Sequence, residues 1–303
     1  MKKSIIFSAI LTATVVMVSC NVEDVIEDNV PVKFTSGITA TPQLRSAIDG
    51  SGNSVWEQGD PIGIYMVGNG GIVVAESVNN IKYTAVSAGA STAFDAAGAT
   101  IYYPVNVSEK VDFIAYHPRC EAVMNWTYQV NVATQTPQTA IDLMWAKADN
   151  SGAGYDKTNT SPINFTFGHQ LVKLVINVSK GVAVAGNISA VSINGMNTAA
   201  NFDLTGVGGL SGMTASQAIT PHTVTADATY EAILLPVTAL DPGHTVAFTI
   251  GADTYIWSMS NDITGLQTGK IYTYDVTLTK HEVEVRGSIT KWSVGASGTG
   301  MAE

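Results

Sequence analysis

From Val30 onward, apolar and polar residues alternate with a period of two. Val30, Val32, Phe34 and Ile38 fall on one face and Pro31, Lys33, Thr35 and Gly37 on the other, which is the pattern of a half-buried strand. The alternation stops over residues 40–60, where Pro42, Gly50, Gly52, Asn53 and Gly59 predict a long loop. Short apolar runs closed by turn residues then recur at 62–67, 81–86, 100–103, 111–116 and 126–132. No window of this half sustains the 3.6-residue apolar stripe of a helix. Residues 149–160 are polar, rich in Gly and Asn, and lack Val, Ile, Leu and Phe, so they are expected to be a linker. Strand-like runs resume at 163–178, 188–194, 200–204, 230–235, 246–258, 270–278 and 283–292. So many short strands need a second sheet to cover their apolar face. The predicted architecture is all-β, with two antiparallel β-sandwich domains in tandem over residues 30–150 and 151–303.

The last run has a second feature. Val283, Val285, Gly287 and Ile289 alternate with Glu284, Arg286, Ser288 and Thr290, but Trp292 and Val294 fall one position out of phase. A bulge between Ile289 and Trp292 would account for the slip.

The first residues follow a different logic. Lys2 and Lys3 precede an uncharged run of 14 residues, from Ile5 to Val18, too short to span a bilayer as a helix. This is the layout of an export signal over residues 1–19. Its end, Met17-Val18-Ser19-Cys20, resembles the lipobox of bacterial lipoproteins, with Met where Leu is usual. The resemblance makes Cys20 the expected lipidation site, and several acyl chains there would hold the protein on a membrane without a transmembrane helix. Residues 20–29 carry Glu23, Asp24, Glu27 and Asp28 and no basic residue, and are expected to form an acidic tether. The chain has only two cysteines, so once Cys20 carries lipid, Cys120 has no intramolecular partner. Cys120 is then a half-buried inert thiol at a strand end, a reactive thiol or an intermolecular link.

Composition narrows the function classes. With 15 Lys and Arg against 25 Asp and Glu, the 303-residue chain has a formal net charge of −10, which disfavours nucleic acid as a partner. Charged residues make up 13%, about half the roughly 25% of ordinary soluble domains, which argues against coiled coils and charge-driven disorder. His117, His169, His222, His244 and His281 show no metal-ligand spacing. The run Gly209-Leu210-Ser211-Gly212-Met213 misses the nucleophile-elbow pattern at its last position. Carboxylates are too dispersed to nominate a glycosidase pair. No catalytic residue, metal or cofactor is therefore expected. Trp56, Trp126, Trp145, Trp257 and Trp292 are either core aromatics or sugar-stacking platforms.

Several longer stretches carry a family resemblance. Trp56-Glu57-Gln58-Gly59-Asp60-Pro61-Ile62-Gly63-Ile64-Tyr65, Ile101-Tyr102-Tyr103-Pro104, Val111-Asp112-Phe113-Ile114-Ala115-Tyr116-His117-Pro118 and Asp142-Leu143-Met144-Trp145-Ala146 are similar to the fimbrillins of type V pili. Phe165-Thr166-Phe167-Gly168-His169-Gln170-Leu171-Val172-Lys173-Leu174, Gly269-Lys270-Ile271-Tyr272-Thr273-Tyr274-Asp275-Val276 and Ile289-Thr290-Lys291-Trp292 extend the likeness to the second half. The resemblance implies two transthyretin-like sandwich domains and a lipoprotein precursor brought to the cell outer membrane. It also implies that an Arg-specific protease cuts a loop after the first strand, and that a C-terminal strand of the next subunit then fills the vacated groove. Carried onto this sequence, the displaced strand is Val30, Val32, Phe34 and Ile38, the cut lies between Arg45 and Ser46, and the donor strand is Val283, Val285 and Ile289, continuing to Trp292. The implied partners are other pilus subunits and, through lipid, the outer membrane. A monomeric surface lipoprotein or pilus-tip adhesin that binds glycan or host protein is the competing expectation.

Overall fold

The computed structural model describes residues 29–38, 47–48, 54–205, 209–279 and 283–291. Cys20, Arg45, Ser46 and Trp292 lie outside them. Among the described residues the fold is all-β, with three short 3-10 turns and no α-helix. The first half holds β1 (Phe34–Ile38), β2 (Ala47–Ile48), β3 (Ser54–Val55), β4 (Pro61–Gly68), β5 (Ile81–Ala85), β6 (Ser91–Ala96), β7 (Val111–His117), β8 (Thr127–Asn131), β9 (Met144–Ala148) and β10 (Ile163–His169). The second holds β11 (Val172–Lys180), β12 (Ile188–Asn194), β13 (Asn197–Asp203), β14 (Leu210–Ser216), β15 (His222–Thr225), β16 (Thr229–Leu234), β17 (Thr245–Ile250), β18 (Asp253–Ser258), β19 (Lys270–Leu278) and β20 (Val283–Lys291).

Seven strands close into a barrel in the order β1-β10-β9-β7-β4-β5-β6, with β6 returning to β1. A five-stranded sheet, β15-β16-β11-β19-β20, and a three-stranded one, β12-β17-β18, make up most of the second half. A further three-stranded sheet, β14-β13-β8, joins the halves, because β8 comes from the first and β13 and β14 from the second. Most pairings are antiparallel; β1 with β10 and β11 with β19 are parallel.

β4 and β7 are buried along almost their whole length. Their alternate residues serve two cores. Ile62, Ile64, Met66, Phe113 and Ala115 face the barrel interior, while Tyr65, Val67, Ile114 and Tyr116 belong to the core that continues into the second half. Burial on both faces is why these runs are nearly continuous in apolar residues.

Several expectations change. The run 163–178 is two strands: Gln170 donates its N–H to Leu143 O at 2.9 Å, and the chain leaves the barrel for the second half there. Consequently β10 is a barrel strand, and sheet membership changes at Gln170 rather than within the polar run 149–160. The run 246–258 is the hairpin of β17 and β18, turned at Gly251 with φ of +61°. Residues 100–103 make only an isolated bridge, Tyr102 to Pro31. Lastly, β20 pairs with β19 without a break from Val283 to Lys291, so no bulge interrupts it within the described residues.

Candidate assembly interface

The first strand is an interior member of the barrel. β1 runs parallel to β10, with Phe34 opposite Ile163 and Ile38 opposite Phe167, and antiparallel to β6, with Phe34 opposite Phe94. The extended residues before it continue the seam: Val32 donates its N–H to Ile101 O at 2.9 Å and Tyr103 to Val30 O at 3.0 Å. On the other side Ile163 donates to Lys33 O at 2.7 Å. Val32 and Phe34 are buried and Val30 is half-buried, as their alternation predicts, while Pro31 and Lys33 are exposed.

Phe34 anchors the strand. Its ring lies 5.1 Å from Tyr83 and 5.3 Å from Phe113, both edge-on, and 5.5 Å from Phe165, stacked. Such pairs add roughly 0.5–1.5 kcal/mol beyond the area they bury. Trp56 belongs to the same packed core, with ring centroids 5.1 Å from Phe94 and 5.2 Å from Phe167. Phe94, Phe165 and Phe167 thus form the walls of the β1 groove. Their signal in the sequence is the alternation in Thr92-Ala93-Phe94 and Phe165-Thr166-Phe167, which predicts an apolar face but not its partner strand. One residue of the seat breaks the apolar pattern. Ser36 is 1% exposed, and its hydroxyl has no hydrogen-bond partner among the described residues.

At the other end of the chain, β20 occupies an edge. It pairs with β19 through nine residues, with Val285 opposite Val276, Gly287 opposite Tyr274, and Val283 and Ile289 opposite Leu278 and Tyr272. Val285 is buried and Arg286 exposed. The expected donor strand is therefore held in its own sheet, a different one from that of β1.

A family model for fimbrillin-like proteins matches residues 46–292. The chain belongs to the fimbrillin-like family. It is 34% identical, with both chains covered in full, to the protein named "Putative fimbrium subunit Fim1C" of Bacteroides uniformis. A crystal structure described as a "putative cell adhesion protein" from Bacteroides uniformis is 30% identical, with a TM-score of 0.73 over 88% of this chain and 99% of that one. The tip fimbrial protein Mfa3 of Porphyromonas gingivalis, C-terminally truncated, shares the fold at 12% identity, with a TM-score of 0.50 over 87% of this chain and 100% of that one.

In this fimbrillin the most characteristic polar residues meet where β10 hands over to β11. His169 Nδ1 lies 2.9 Å from Asp142 Oδ1, with both side chains buried. Four residues on, Lys173 is fully buried and donates to Glu231 Oε2 at 2.6 Å. Burial pulls the Lys173 ammonium down to about 8, with Glu231 opposing the shift. Beside them the Gln135 amide takes the place of a strand, since its Nε2 donates to Ile233 O at 2.9 Å and its Oε1 accepts from Ile233 N at 2.8 Å. These residues fix the passage between the halves, and their chemistry is that of a joint.

The remaining candidates fall into the framework. Trp56 and Trp257 are buried and Trp126 and Trp145 half-buried, so no tryptophan among the described residues is exposed as a sugar platform would be. Trp126 packs against Tyr65 with ring centroids 4.5 Å apart and the planes tilted by 36°, and Trp257 donates to Asp262 Oδ2 at 2.8 Å. His117 Nδ1 bonds Pro61 O at 2.9 Å and His244 pairs with Asp241 at 2.9 Å; His281 lies outside the described residues. Cys120 is a free, half-buried thiol. Among the described residues no group of three or more His, Cys, Asp or Glu is placed to hold a metal ion.

Proposed function

We propose that this chain is a non-catalytic structural subunit of a type V fimbria on the cell surface, assembled by protease-triggered strand exchange. Residues 1–19 export it, lipid on Cys20 holds the precursor at the outer membrane, and residues 20–29 space it from the bilayer. A cut between Arg45 and Ser46 severs the covalent tie of β1 to the rest of the barrel. The observation that carries this reading is the seat of β1, an interior strand bonded on both sides and joined to the barrel only through the segment that contains Arg45. The fimbrillin-like match supports it, and begins at Ser46, the first residue past the proposed cut.

Departure of β1 would uncover the pocket of Val32 and Phe34, at roughly 1.5–3 kcal/mol for each such side chain. It would also leave the facing edges of β6 and β10 with unpaired N–H and C=O groups, a template for an added strand. A C-terminal strand of a second copy supplies the alternation such a groove accepts in Val283, Val285 and Ile289, and continues to Trp292. Treatment of the purified full chain with an Arg-specific protease should give a product beginning at Ser46 that forms SDS-resistant ladders. Arg45→Ala should stay monomeric under the same treatment. If Arg45→Ala polymerises as well as the wild type, cleavage there is not the trigger.

A further inference from the structure

Gly287 lies in the middle of β20, where glycine is the wrong residue on propensity grounds: it weakens a strand and buries nothing. Its backbone is not in the left-handed region, so conformation does not require it. Space does. A Cβ at position 287 would lie 1.9 Å from Tyr274 Cε1, 2.3 Å from Cδ1 and 2.6 Å from Cζ. The Tyr274 ring therefore crosses the strand at the one place where the strand has no side chain. Tyr274 cannot readily move aside, because it is 3% exposed and its ring packs 5.1 Å from Trp257, which is itself held by Asp262. The neighbours differ: Val285, two residues before it, fills the core opposite Val276, and Ser288, the next residue, is half-buried.

We infer that Tyr274 and Gly287 form a clasp that retains β20 in its own sheet, and that opening of this clasp is the step that frees the strand for a neighbour. The second clause rests on the donor role proposed above; the first does not. An edge strand is bonded on one side only, so it can leave without disrupting a second ladder, and what holds it is the fit of its inner face. An aromatic ring laid over a cross-strand glycine gives that fit without covalent restraint, and one added methyl group destroys it. Tyr274 and Gly287 are positioning residues, since they set where the strand rests and not what it binds.

Hydrogen exchange on the uncut full chain tests the clasp. In Gly287→Ala the amides of residues 283–291 should exchange at least about tenfold faster than in the wild type, while those of β4 and β7 are unchanged. Adding Tyr274→Ala should remove the penalty, so that Tyr274→Ala/Gly287→Ala exchanges in β20 no faster than Tyr274→Ala alone. This second pair also decides the matter if Gly287→Ala fails to fold, because relief by the double variant locates the fault in the ring-to-methyl contact. Unchanged exchange in Gly287→Ala, or a penalty that persists without the Tyr274 ring, would overturn the clasp. The growth rate of fibres after cleavage tests the second clause separately. Faster growth in Gly287→Ala is expected, and unchanged growth alongside faster exchange would overturn the donor role while leaving the clasp in place.

Discussion

The strands at the two ends of the described chain occupy opposite kinds of position. β1 is bonded on both sides and inserts Phe34 into an aromatic pocket shared by β5, β7 and β10. Among the described strands β20 is bonded on one side only, and it lays a glycine under a ring. Removing an interior strand opens a closed barrel and bares two ladders; removing an edge strand exposes one new edge and leaves its sheet otherwise intact. A strand of the first kind does not leave unless something cuts its tether, whereas one of the second kind exchanges by fluctuation. The pairing suits an assembly in which the acceptor site is locked and the donor is held in reserve.

The largest expected effect breaks the first seat. Phe34→Ala removes a fully packed ring and should cost about 3–5 kcal/mol in a denaturant titration. Because β4 and β7 share residues between the barrel core and the second core, the loss should lower one cooperative transition and not split it. A cost below about 1 kcal/mol would mean that backbone bonds alone seat β1, and the contrast with β20 would shrink to a count of ladders.

How far this contrast could be read from residues alone depends on what kind of information each strand carries. The alternation of Val30, Val32 and Phe34 reveals a half-buried strand, since a period of two needs only local geometry. That β1 should lie parallel to β10, more than a hundred residues later, has no local signature; it is fixed by barrel closure, and so the strand after the polar run 149–160 was expected in a second domain. Likewise the runs 163–178 and 246–258 hide turns, because Gln170 and Gly251 sit within apolar stretches long enough to be one strand. Gly287 was visible as a small residue at an inward position. Its partner Tyr274 was not, because cross-strand register becomes known only once β19 and β20 are aligned. Cys20 rests on its motif alone, and Arg45 on the family resemblance and its place in the loop after the first strand.

A smaller effect should separate the two regions by pH. Lys173, on the strand beside β19, has its ammonium pulled down to about 8 by burial, against 10.5 for an ordinary lysine. Between these values the folded protein has shed a proton that the unfolded chain still binds, so stability rises with pH across that window. Taken alone, this contribution is worth about 2 kcal/mol from about pH 8 to about pH 10, at up to about 1.4 kcal/mol per unit. From about pH 9, Tyr65, Tyr128 and Tyr274, all pushed up to about 12 by burial from an ordinary value of 10.0, oppose the rise, because the unfolded chain loses protons that the folded one keeps. Denaturant midpoints should therefore peak near about pH 9. Lys173→Met should abolish the rise and keep the fall; a rise that survives the substitution would place its origin elsewhere.

The smallest effect concerns how good an occupant β1 is. Ser36 follows Phe34 on the inward face, yet its buried hydroxyl finds no partner among the described residues, and beside it the missing side chain of Gly37 would meet nothing within 4 Å. A buried hydroxyl without a partner costs about 1–3 kcal/mol, so this end of the strand is held less well than the end around Phe34. Ser36→Ala keeps the shape and removes the unmet group, and should raise stability by about 1 kcal/mol. The same change should slow the loss of the N-terminal fragment from protein cut after Arg45, measured as the rate at which that fragment separates from the remainder. If Ser36→Ala is instead neutral or destabilising, the hydroxyl is satisfied and β1 is as well fitted as any barrel strand. A stabilising result would mean that the resident strand is retained by its tether and by Phe34, with one end of the groove open to a better-matched strand.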